Sequence, residues 1–507
     1  MNSFICAPIT ETQPEAFLAA IGQAAQSADM IELRLDYLDS EGCRAVLEAL
    51  PGLALGKRLL LTFRPREQGG QRDLSLQDRQ NFWRGLPPAI VSAIAFADFE
   101  FDLVESFANV VSPIPWEQVI CSWHNFDETP DDLIARYDRM AETPAAVVKI
   151  ATMANRISDC LRIFELIEYA KDKKPVIALA MSLAGVTTRI LSLSGGALLT
   201  FGSLKPGAES AAGQPTIADL RDLYRVKQLT RDSEIFGIIG HPVGHSRSPL
   251  MHNAALASLN RNGVYLPFEV DDAAVFIRDF LHPKTKKIDW NMRGVSVTIP
   301  HKVAVMPHLD WIDDTAKAIG AVNTIVVSGN ELHGYNTDVI GAMKPLEEIV
   351  TVRGVRVAVI GAGGSARAIC YGLRARNANV TIYARDPRKA QPLAEEFKTN
   401  VAALDSFDGH SDRRADIVIN CTPIGMHGHS EGQSPLNEDS LRGVKLVYDL
   451  IYTPEETALL RDAKAAGCQT LGGLAMLVGQ AVEQFRLWTG LEAPVDVMRQ
   501  AVSSVEK

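Results

Sequence analysis

The chain has 507 residues but only seven cysteines, and these stand singly along it. There is no C-x-x-C pair, and an odd number of cysteines cannot all be bridged within one chain. We therefore expect reduced thiols in a cytoplasmic protein.

Long apolar runs and an excess of positive charge are also missing. No stretch of about 18 apolar residues occurs, and residues 1–15 lack the cationic segment of a signal peptide. The 51 basic residues are outnumbered by 61 acidic ones, which leaves a net charge of −10. From these absences we expect that neither a membrane nor a nucleic acid is a partner of this protein.

What the chain does have is length and an ordinary globular composition, with 47% apolar and 22% charged residues. At roughly 100–200 residues per domain, this length predicts about two to four domains. Around residues 215–240 a charged helical stretch leads into a new apolar strand without a Gly/Ser-rich or Pro-rich linker. We expect a short junction between two halves there.

Eight short apolar runs alternate with helical patterns from residue 1 to about residue 225. They are FICAPI, MIELRLDYL, RLLLTFR, AIAFADFEF, QVICSWHNF, AAVVKIATM, PVIALAMS and LLTFGSL. Strands that alternate with helices over this length predict a parallel sheet closed into a (β/α)8 barrel. An open doubly wound sheet is the alternative.

Charged residues lie at the ends of these runs or in the loops after them, where a barrel has its active site. Charges inside apolar strands are costly unless they are paired or used. The set consists of Glu32, Arg34, Asp36, Arg64, His124, Lys149 and Arg189. Its three arginines are suited to clamp an anionic substrate that bears a carboxylate.

Lys149 lies among apolar residues in AAVVKIA, an environment that disfavours the ammonium form and suits a lysine that attacks a carbonyl. His124 ends the preceding strand and could act as the acid/base beside it. The alternatives are a lysine that pairs with a carboxylate or reaches solvent, and a histidine that is packed in the core.

A strand, a glycine-rich turn, a helix and a second strand follow one another from residue 354, in GVRVAVIGAGGSARAICYGLRARNANVTIYARDPRKA. This order is typical of a dinucleotide-binding unit, whose helix N-terminus favours the negative pyrophosphate. Gly361 would make the tight turn, and Gly363 would let the backbone approach the pyrophosphate. The predicted cofactor loop consists of Gly361, Ala362, Gly363, Gly364, Ser365 and Ala366.

The end of the second strand of this unit selects the cofactor. An acidic residue there binds a free ribose 2′-OH, whereas an arginine accommodates a 2′-phosphate. Arg385 stands at this point, with Arg388 close behind it, which favours NADP. Asp386 is an argument for the opposite choice, and Arg385 could also be a solvated turn residue.

Residues 233–340 form a further α/β unit with polar clusters in the segments GHSRSP, VSVTIPHK, GAVNT and NTD. A lysine and an aspartate beside a hydride donor are suitable proton-transfer partners for the reduction of a ketone. Each cluster could also consist of ordinary loop residues. The candidates are Ser246, Ser248, Thr298, Lys302, Asn323 and Asp338.

Five motifs of the first half occur in a recognisable order: ELRLD, TFR, SWHNF, VKIA and SAAGQ. With them, residues 4–225 resemble type I 3-dehydroquinate dehydratases. The resemblance implies that Lys149 forms an imine with the C3 ketone of 3-dehydroquinate. It implies that His124 removes the C2 proton, helps to expel the C1 hydroxyl and helps to hydrolyse the imine. The implied substrate-binding residues are Glu32, Arg34, Arg64, Arg189, Ser210 and Gln214.

One position departs from this family. The glutamate that usually precedes the Gly-Gly pair, and orients the catalytic histidine, is replaced by Gln68. Gln68 can accept a hydrogen bond but adds no negative charge, so we expect His124 to be less basic than is typical.

The clusters of the second half, with NCTPIGM, YDLIY and GGLAMLVGQ, resemble shikimate dehydrogenases from about residue 235 onward. The resemblance implies that Lys302 and Asp338 are the catalytic pair. It implies substrate contacts from Ser246, Ser248, Thr298, Asn323, Asp338, Tyr452 and Gln480. The implied cofactor contacts come from residues 361–366, Arg385, Thr422 and Met426. Ser296 and Ala384 each replace a common asparagine.

The two implied reactions are consecutive, so one chain would dehydrate 3-dehydroquinate to 3-dehydroshikimate and reduce that product to shikimate with NADPH. We expect a barrel over 1–228, a substrate-binding domain over 233–342 completed by 472–507, and a Rossmann NADP-binding domain over 343–471. We expect no metal, and a monomer or homodimer. The alternatives are a dehydrogenase half that prefers NAD and quinate, and a ligand-sensing regulator without catalysis.

Overall fold

The computed structural model describes residues 3–53, 56–408, 415–428 and 430–503. The chain divides into two compact units. The first consists of Met1–Pro249, Asn260–Leu281 and Thr285–Met292, and the second of Leu250–Leu259, His282–Lys284 and Arg293–Lys507.

The first unit contains a ring of parallel strands in the order β7-β6-β5-β4-β3-β2-β1-β8. The last strand returns to β7, where the backbone N–H of Leu198 donates to the carbonyl oxygen of Val176 at 2.9 Å. This nearly closed ring confirms the predicted strands and the barrel, and the open-sheet alternative is wrong. The strands are β1 (Phe4–Ile9), β2 (Met30–Arg34), β3 (Arg58–Thr62), β4 (Phe96–Glu100), β5 (Val119–His124), β6 (Val147–Met153), β7 (Val176–Met181) and β8 (Leu199–Phe201).

Helices follow the strands, and most of them bury one face. In α1 the buried residues Phe17, Ala20, Ile21 and Ala24 recur at the spacing of a single helical face. The barrel helices are α1 (Pro14–Ser27), α2 (Ser40–Ala49), α3 (Leu76–Arg84), α4 (Pro88–Ala93), α5 (Phe101–Phe107), α6 (Leu133–Ala141), α7 (Cys160–Ala170) and α8 (Val186–Gly195).

The strands of the ring share one apolar core and carry polar residues just beyond it. The core includes Met30, Leu60, Ile120 and Val147, which lie early in their strands. Side chains two residues apart point to the same side of a strand. The residues two positions further along, on that same side, are Glu32, Thr62, Ser122 and Lys149.

The first unit continues with a parallel strand pair, β9 and β10. A helix, α9, separates these strands in the chain, and its residues from Leu250 onward belong to the second unit. The bounds are β9 (Glu234–Gly240), α9 (Ser248–Ser258), β10 (Gly263–Glu269) and α10 (Ala273–Phe276).

In the second unit, β13 pairs antiparallel with both β11 and β14, and β12 pairs parallel with β14. Two helices from distant parts of the chain, α12 and α17, pack against each other in the same unit. The bounds are β11 (Asn291–Val297), β12 (Trp311–Ile312), α11 (Asp314–Ile319), β13 (Thr324–Ser328), β14 (Glu331–Tyr335), α12 (Asp338–Ile349), α17 (Gly473–Thr489) and α18 (Val495–Ser503).

The predicted dinucleotide-binding unit is confirmed as a parallel sheet in the order β17-β16-β15-β18-β19-β20. In a sheet of this kind the ligand crevice lies at the carboxyl ends of the strands, where the order reverses between β15 and β18. The bounds are β15 (Arg356–Ile360), α13 (Gly364–Ala375), β16 (Asn379–Ala384), α14 (Pro387–Phe397), β17 (Asn400–Ala403), β18 (Ile417–Asn420), α15 (Glu438–Leu441), β19 (Leu446–Asp449), α16 (Ala458–Ala465) and β20 (Gln469–Leu471).

Candidate active sites

The first candidate site lies inside the barrel, where neighbouring strands hold polar residues side by side. In register, Thr62 is beside Asp98 and Ser122 is beside Lys149. His124 lies two residues after Ser122 and therefore points to the same side of β5. The strand register thus gathers residues from four strands.

Lys149 is paired with a buried carboxylate. Its side chain is only 5% exposed, and its Nζ donates to Oδ2 of Asp98 at 2.7 Å. The same carboxylate lies 2.5 Å from a guanidinium nitrogen of Arg64 and accepts a hydrogen bond from the Ser122 hydroxyl at 2.5 Å. Burial alone would raise the pKa of Asp98, but Arg64 and Lys149 hold that pKa well below its usual range. Asp98 is therefore an anion at every working pH.

His124 is a neutral imidazole in this site. Burial and the cations Arg64 and Lys149 hold the pKa of His124 well below its usual value. Nη1 of Arg64 lies 3.0 Å from Nε2 of His124. Since a guanidinium can only donate, Nε2 is the acceptor and Nδ1 carries the proton. A neutral imidazole of this kind can act as a general base.

Gln68 contacts the histidine through the main chain. Its Oε1 accepts a hydrogen bond from the backbone N–H of His124 at 3.1 Å. Nδ1 of the imidazole has no hydrogen-bond partner among the residues that the structure describes. Gln68 therefore fixes the backbone at the end of β5, and other residues determine the charge of the His124 ring.

The three predicted arginines differ in their partners. Arg34 makes two hydrogen bonds of 2.9 Å to the carboxylate of Asp36, and Arg64 is neutralised by Asp98. Arg189 is 1% exposed, and its Nε and Nη2 have no hydrogen-bond partner in the described part of the chain. Burial lowers the pKa of Arg189 to about 10. A buried cation without a counter-ion is costly, so Arg189 is suited to receive an anion.

The remaining predicted residues of this site bind one another or their neighbours. Glu32 accepts a hydrogen bond from the Thr62 hydroxyl at 2.7 Å. Oε1 of Gln214 accepts from the backbone N–H and the hydroxyl of Ser210, at 2.7 and 3.1 Å. Nε2 of Gln214 is buried and has no partner among the described residues. Ser210 and Gln214 also line a cavity of about 610 Å³.

Two acidic residues of β4, Asp98 and Glu100, were not predicted from the sequence. Glu100 lies between Arg64, at 3.4 Å, and Arg79, at 3.1 Å, and burial raises the pKa of Glu100 to about 7. The signal was present in FADFEF, which places two acids at alternate positions of an apolar strand. The same pattern had singled out Glu32 on β2.

The second candidate site centres on a lysine–aspartate pair in the second unit. Nζ of Lys302 lies 2.5 Å from Oδ2 of Asp338, the first residue of α12. The amide of Asn323 donates to the other carboxylate oxygen at 2.8 Å, and its own oxygen accepts from the backbone N–H of Thr337 at 2.8 Å. The structure therefore brings three predicted residues into one hydrogen-bonded cluster.

Gln484 supports this cluster and was also missed. It is 1% exposed on α17, and its Nε2 donates to the carbonyl oxygen of Asn323 at 3.2 Å and to the hydroxyl of Thr324 at 3.0 Å. Its Oε1 accepts from the hydroxyl of Ser296 at 2.8 Å. The spacing from Gln480, one helical turn earlier, was the available signal.

Close helix packing fixes Gln480 near the start of α12. A Cβ added at Gly341 would lie 2.7 Å from the backbone nitrogen of Gln480 and 2.8 Å from its Cβ. Only glycine therefore allows α12 and α17 to approach this closely. Gln480 is half-buried, and its side-chain amide donates to the carbonyl oxygen of Leu477 at 3.0 Å.

The other predicted substrate residues lie at element ends. Thr298 follows β11 and Tyr452 follows β19, and both are half-buried. Ser246 and Ser248 belong to the first unit, where the hydroxyl of Ser246 accepts from the backbone N–H of Ser248 at 3.3 Å.

The predicted cofactor loop has the backbone that a pyrophosphate requires. Gly361 has φ of +100°, and its N–H donates to the carbonyl oxygen of Tyr383 at 2.8 Å. A Cβ at this glycine would lie 2.8 Å from Cγ2 of Thr422, whereas a Cβ at Gly363 would meet nothing within 4 Å. Gly361 thus serves the turn, and Gly363 leaves space beside the backbone.

The N-terminus of α13 is available to a ligand. Gly363 precedes this twelve-residue helix and offers no side-chain cap to its first N–H groups. A Cβ at Gly364 would be 4.0 Å from Cδ of Lys302, so the cofactor loop and the predicted catalytic lysine are neighbours. Ser365 is half-buried, and Ala366 is fully buried in the core behind the loop.

Asp386 is occupied by structural contacts. It precedes α14, and its carboxylate accepts from the backbone N–H and from Nε of Arg388, each at 3.1 Å. Arg385, just before it, is exposed at the end of β16. The residue that argued against NADP is therefore occupied as a helix cap, while Arg385 is exposed.

Thr422 and Met426 lie in the loop after β18. The backbone N–H and hydroxyl of Thr422 donate to Oδ1 of Asn420 at 3.0 and 2.7 Å. Met426 is 40% exposed.

Within the described ranges, no helix combines the length and apolarity that a membrane span requires.

Four family models match the chain. Residues 5–231 match type I 3-dehydroquinase, and residues 238–325 match the shikimate dehydrogenase substrate binding domain. Residues 345–426 match shikimate/quinate 5-dehydrogenase, and residues 473–502 match the shikimate 5′-dehydrogenase C-terminal domain.

Individual relatives agree with this order of domains. The bifunctional 3-dehydroquinate dehydratase/shikimate dehydrogenase of Arabidopsis thaliana, a chloroplastic protein, is 35% identical over 99% of this chain and 84% of its own length. The NADP(+) shikimate dehydrogenase of Methanothermobacter thermautotrophicus is 41% identical over 55% of this chain and 98% of its own. A crystal structure of a shikimate dehydrogenase in complex with NADP+ is 38% identical, with a TM-score of 0.50, over 54% of this chain and 96% of that one. The chain belongs to the family of bifunctional 3-dehydroquinate dehydratases/shikimate dehydrogenases.

Proposed function

We propose that the barrel converts 3-dehydroquinate into 3-dehydroshikimate through an imine on Lys149, and that Lys302 and Asp338 assist the reduction of this product to shikimate. The observation that carries the proposal is the buried Lys149 next to a neutral His124, with Arg64 in contact with both the histidine and the carboxylate that pairs the lysine. The proposed domains are 1–228, 233–342 with 472–507, and 343–471.

The dehydratase reaction uses Lys149 and His124 in turn. The ammonium of Lys149 gives one proton to His124, and the resulting neutral amine attacks the C3 carbonyl carbon. His124 then returns this proton to the oxygen of the addition product, which leaves as water and gives an iminium ion. His124 then takes the C2 proton, and the electron pair of that bond moves into the C2–C3 bond while the C=N pair returns to nitrogen. The C1 hydroxyl leaves with a proton from His124, and water hydrolyses the imine to release 3-dehydroshikimate and Lys149.

Arg189 anchors the substrate carboxylate in this proposal. Among the described residues, Nε and Nη2 of Arg189 have no hydrogen-bond partner and no carboxylate pairs with this arginine, whereas Arg34 and Arg64 are already bound to carboxylates. A charged, hydrogen-bonded pair with this buried guanidinium of α8 is strong because the surroundings have a low dielectric constant. The hydroxyls of the substrate are assigned to Glu32, Arg34, Arg64, Ser210 and Gln214.

The residues of the second unit fit NADP. The turn at Gly361, the space beside Gly363 and the uncapped start of α13 suit a pyrophosphate, and the exposed Arg385 suits a 2′-phosphate. The remaining assigned cofactor contacts are Ala362, Gly364, Ser365, Ala366, Thr422 and Met426. Bound NADPH supplies a hydride to the carbonyl carbon of 3-dehydroshikimate.

Lys302 provides the proton for that reduction. Its ammonium donates to the carbonyl oxygen of the substrate, where negative charge develops. Asp338 holds this ammonium at 2.5 Å and is itself held by Asn323. The other assigned substrate contacts are Ser246, Ser248, Thr298, Tyr452 and Gln480.

A cytoplasmic monomer or homodimer that acts only on these small molecules completes the proposal. The alternative specificity, NAD with quinate, requires an acid at the end of β16, and Asp386 is bound as a helix cap there. The alternative of a sensor without catalysis requires the loss of catalytic groups, yet Lys149, His124, Lys302 and Asp338 are all present.

A two-stage assay on the full chain tests this function. With 3-dehydroquinate alone, the ultraviolet absorbance of a conjugated enone should rise, and NADPH added afterwards should be oxidised. Borohydride added with 3-dehydroquinate should attach the substrate to Lys149, as located by peptide mass spectrometry. Lys302→Met serves as control, because it should keep the first stage and lose the second. If neither stage runs, the sensor alternative replaces the proposal.

A further inference from the structure

We infer that Asp98 is the counter-ion of the protonated imine on Lys149 and keeps that imine in its reactive, cationic form. The inference rests on the proposed function and adds a residue that the sequence motifs leave unassigned. It starts from the contact of 2.7 Å between Oδ2 of Asp98 and the nitrogen that would form the imine.

The position of Asp98 is fixed before any substrate binds. It is fully buried on β4. Its carboxylate pairs with Lys149 of β6 and with Arg64 of the loop after β3, and it accepts a hydrogen bond from the hydroxyl of Ser122 on β5. These three groups hold both carboxylate oxygens, so the anion cannot rotate away. A preorganised charge of this kind acts without reorganisation at the moment of reaction.

The chemistry of the nitrogen explains what this anion does. A protonated imine accepts the electron pair that the C2–H bond releases, whereas a neutral imine accepts it poorly. When His124 takes the C2 proton, the nitrogen changes from cationic to neutral, and it becomes cationic again when the C1 hydroxyl leaves. An anion at hydrogen-bond distance raises the share of protonated imine at a given pH.

Asp98 is a better candidate for this role than for that of a base. Arg64 and Lys149 hold its pKa well below the usual range, so it does not take up protons at working pH. Glu100, the other acid on β4, has Arg64 and Arg79 as its salt-bridge partners. The charged or titratable groups around Asp98 are Lys149, Arg64, His124 and Glu100, with Glu32 and Arg34 beyond Arg64.

The test compares Asp98→Asn with Ser122→Ala as a matched control. Ser122→Ala removes one hydrogen bond to the same carboxylate but keeps its charge. For Asp98→Asn we expect dehydratase kcat at pH 8 to fall by about 10²-fold, as when a single preorganised group is removed from an active site. The alkaline limb of its kcat profile should move to lower pH, while borohydride still attaches substrate to Lys149.

Each outcome has a distinct meaning. If the wild-type chain is not labelled by borohydride, the proposed function itself fails. If the wild type is labelled but Asp98→Asn keeps the wild-type pH profile, only the counter-ion inference is overturned. The inference would also be overturned if the alkaline limb of the kcat profile moved to the same lower pH in Ser122→Ala, because that variant keeps the charge of Asp98.

A second variant covers the case in which Asp98→Asn does not fold. Asp98→Glu keeps the charge and changes only its reach. We expect its alkaline limb to stay at the wild-type pH, whatever the loss in kcat. A limb displaced to lower pH in a folded Asp98→Glu chain would contradict the inference, and dehydrogenase activity with circular dichroism would report the folding.

Discussion

At the scale of single residues, Arg189 combines a structural cost with the substrate-binding role that we propose for it. It is a fully buried guanidinium with unpaired nitrogens among the described residues, and burial lowers its pKa to about 10. For Arg189→Met we expect the free energy of unfolding to rise by about 1–3 kcal/mol, since an uncompensated buried charge is removed.

The same substitution should impair substrate binding. Loss of a buried charge pair with the substrate carboxylate should raise the dehydratase KM by about 100-fold, while dehydrogenase kinetics on 3-dehydroshikimate stay unchanged. Thermal denaturation and the enone assay measure the two effects on one preparation. A destabilised variant with an unaltered KM would show that Arg189 has a structural partner and does not bind substrate.

Gln68 offers a prediction about pH. The pKa of His124 is lowered by burial, Arg64 and Lys149, and Gln68 contributes no charge to oppose this. Gln68→Glu places an anion next to His124, so the pKa of the imidazole should rise. Because the base must be unprotonated, the acid limb of dehydratase kcat/KM should move to higher pH, by about one unit. Gln68→Leu, which adds no charge, should not move it upward.

Some single residues of the barrel site could be predicted from the sequence, and others could not. Lys149 and His124 were predicted because charges inside apolar strands are rare and cluster at active sites. Asp98 was not singled out, although it follows the same rule, because its meaning depends on which cations reach it. The register of β3, β4 and β6 and the packing of their side chains determine which cations contact Asp98. No local sequence pattern encodes this arrangement.

At the scale of elements, we expect the residues at the start of α14 to determine the preference for NADPH over NADH. Asp386 caps this helix and pairs with Arg388, and Arg385 is exposed at the end of β16. For Arg385→Ala we expect KM for NADPH to rise about tenfold, the range of a hydrogen bond to a charged group. KM for NADH should not change, since it lacks the 2′-phosphate.

The control for this prediction is Lys389→Ala, which removes the same charge from an exposed position within α14. It should leave the preference for NADPH over NADH within about twofold, because exposed charges are screened by salt. An equal effect of both variants would mean that overall positive charge, and not a contact of Arg385, selects NADPH.

The elements themselves were largely predictable. Buried parallel strands read as continuous apolar runs, so the strands of the barrel and the first β-α-β unit of the dinucleotide fold were visible in the sequence. The contact of α17 with Asn323 through Gln484 was not, because it joins residues 161 positions apart. A buried glutamine on an apolar helix shows only that some partner exists.

At the scale of the whole molecule, the two proposed catalytic pairs belong to different units of the chain. Lys149 and His124 lie in the first unit, and Lys302 and Asp338 lie in the second. Lys149→Met should therefore abolish enone formation and leave the reduction of 3-dehydroshikimate intact, and Lys302→Met should do the reverse. Far-ultraviolet circular dichroism checks that each variant is folded.

A mixture of Lys149→Met and Lys302→Met tests whether the dehydration and the reduction must occur in one chain. Hydrolysis of the imine releases 3-dehydroshikimate as a free small molecule, so diffusion between chains can supply the second reaction. In an equimolar mixture we expect 3-dehydroquinate to drive NADPH oxidation, after a lag in which the intermediate accumulates. Wild-type chain at the same concentration of each active site should show a lag of the same length. A wild-type reaction without a lag would mean that the intermediate is retained by the chain that made it, since accumulation in solution would then not be required.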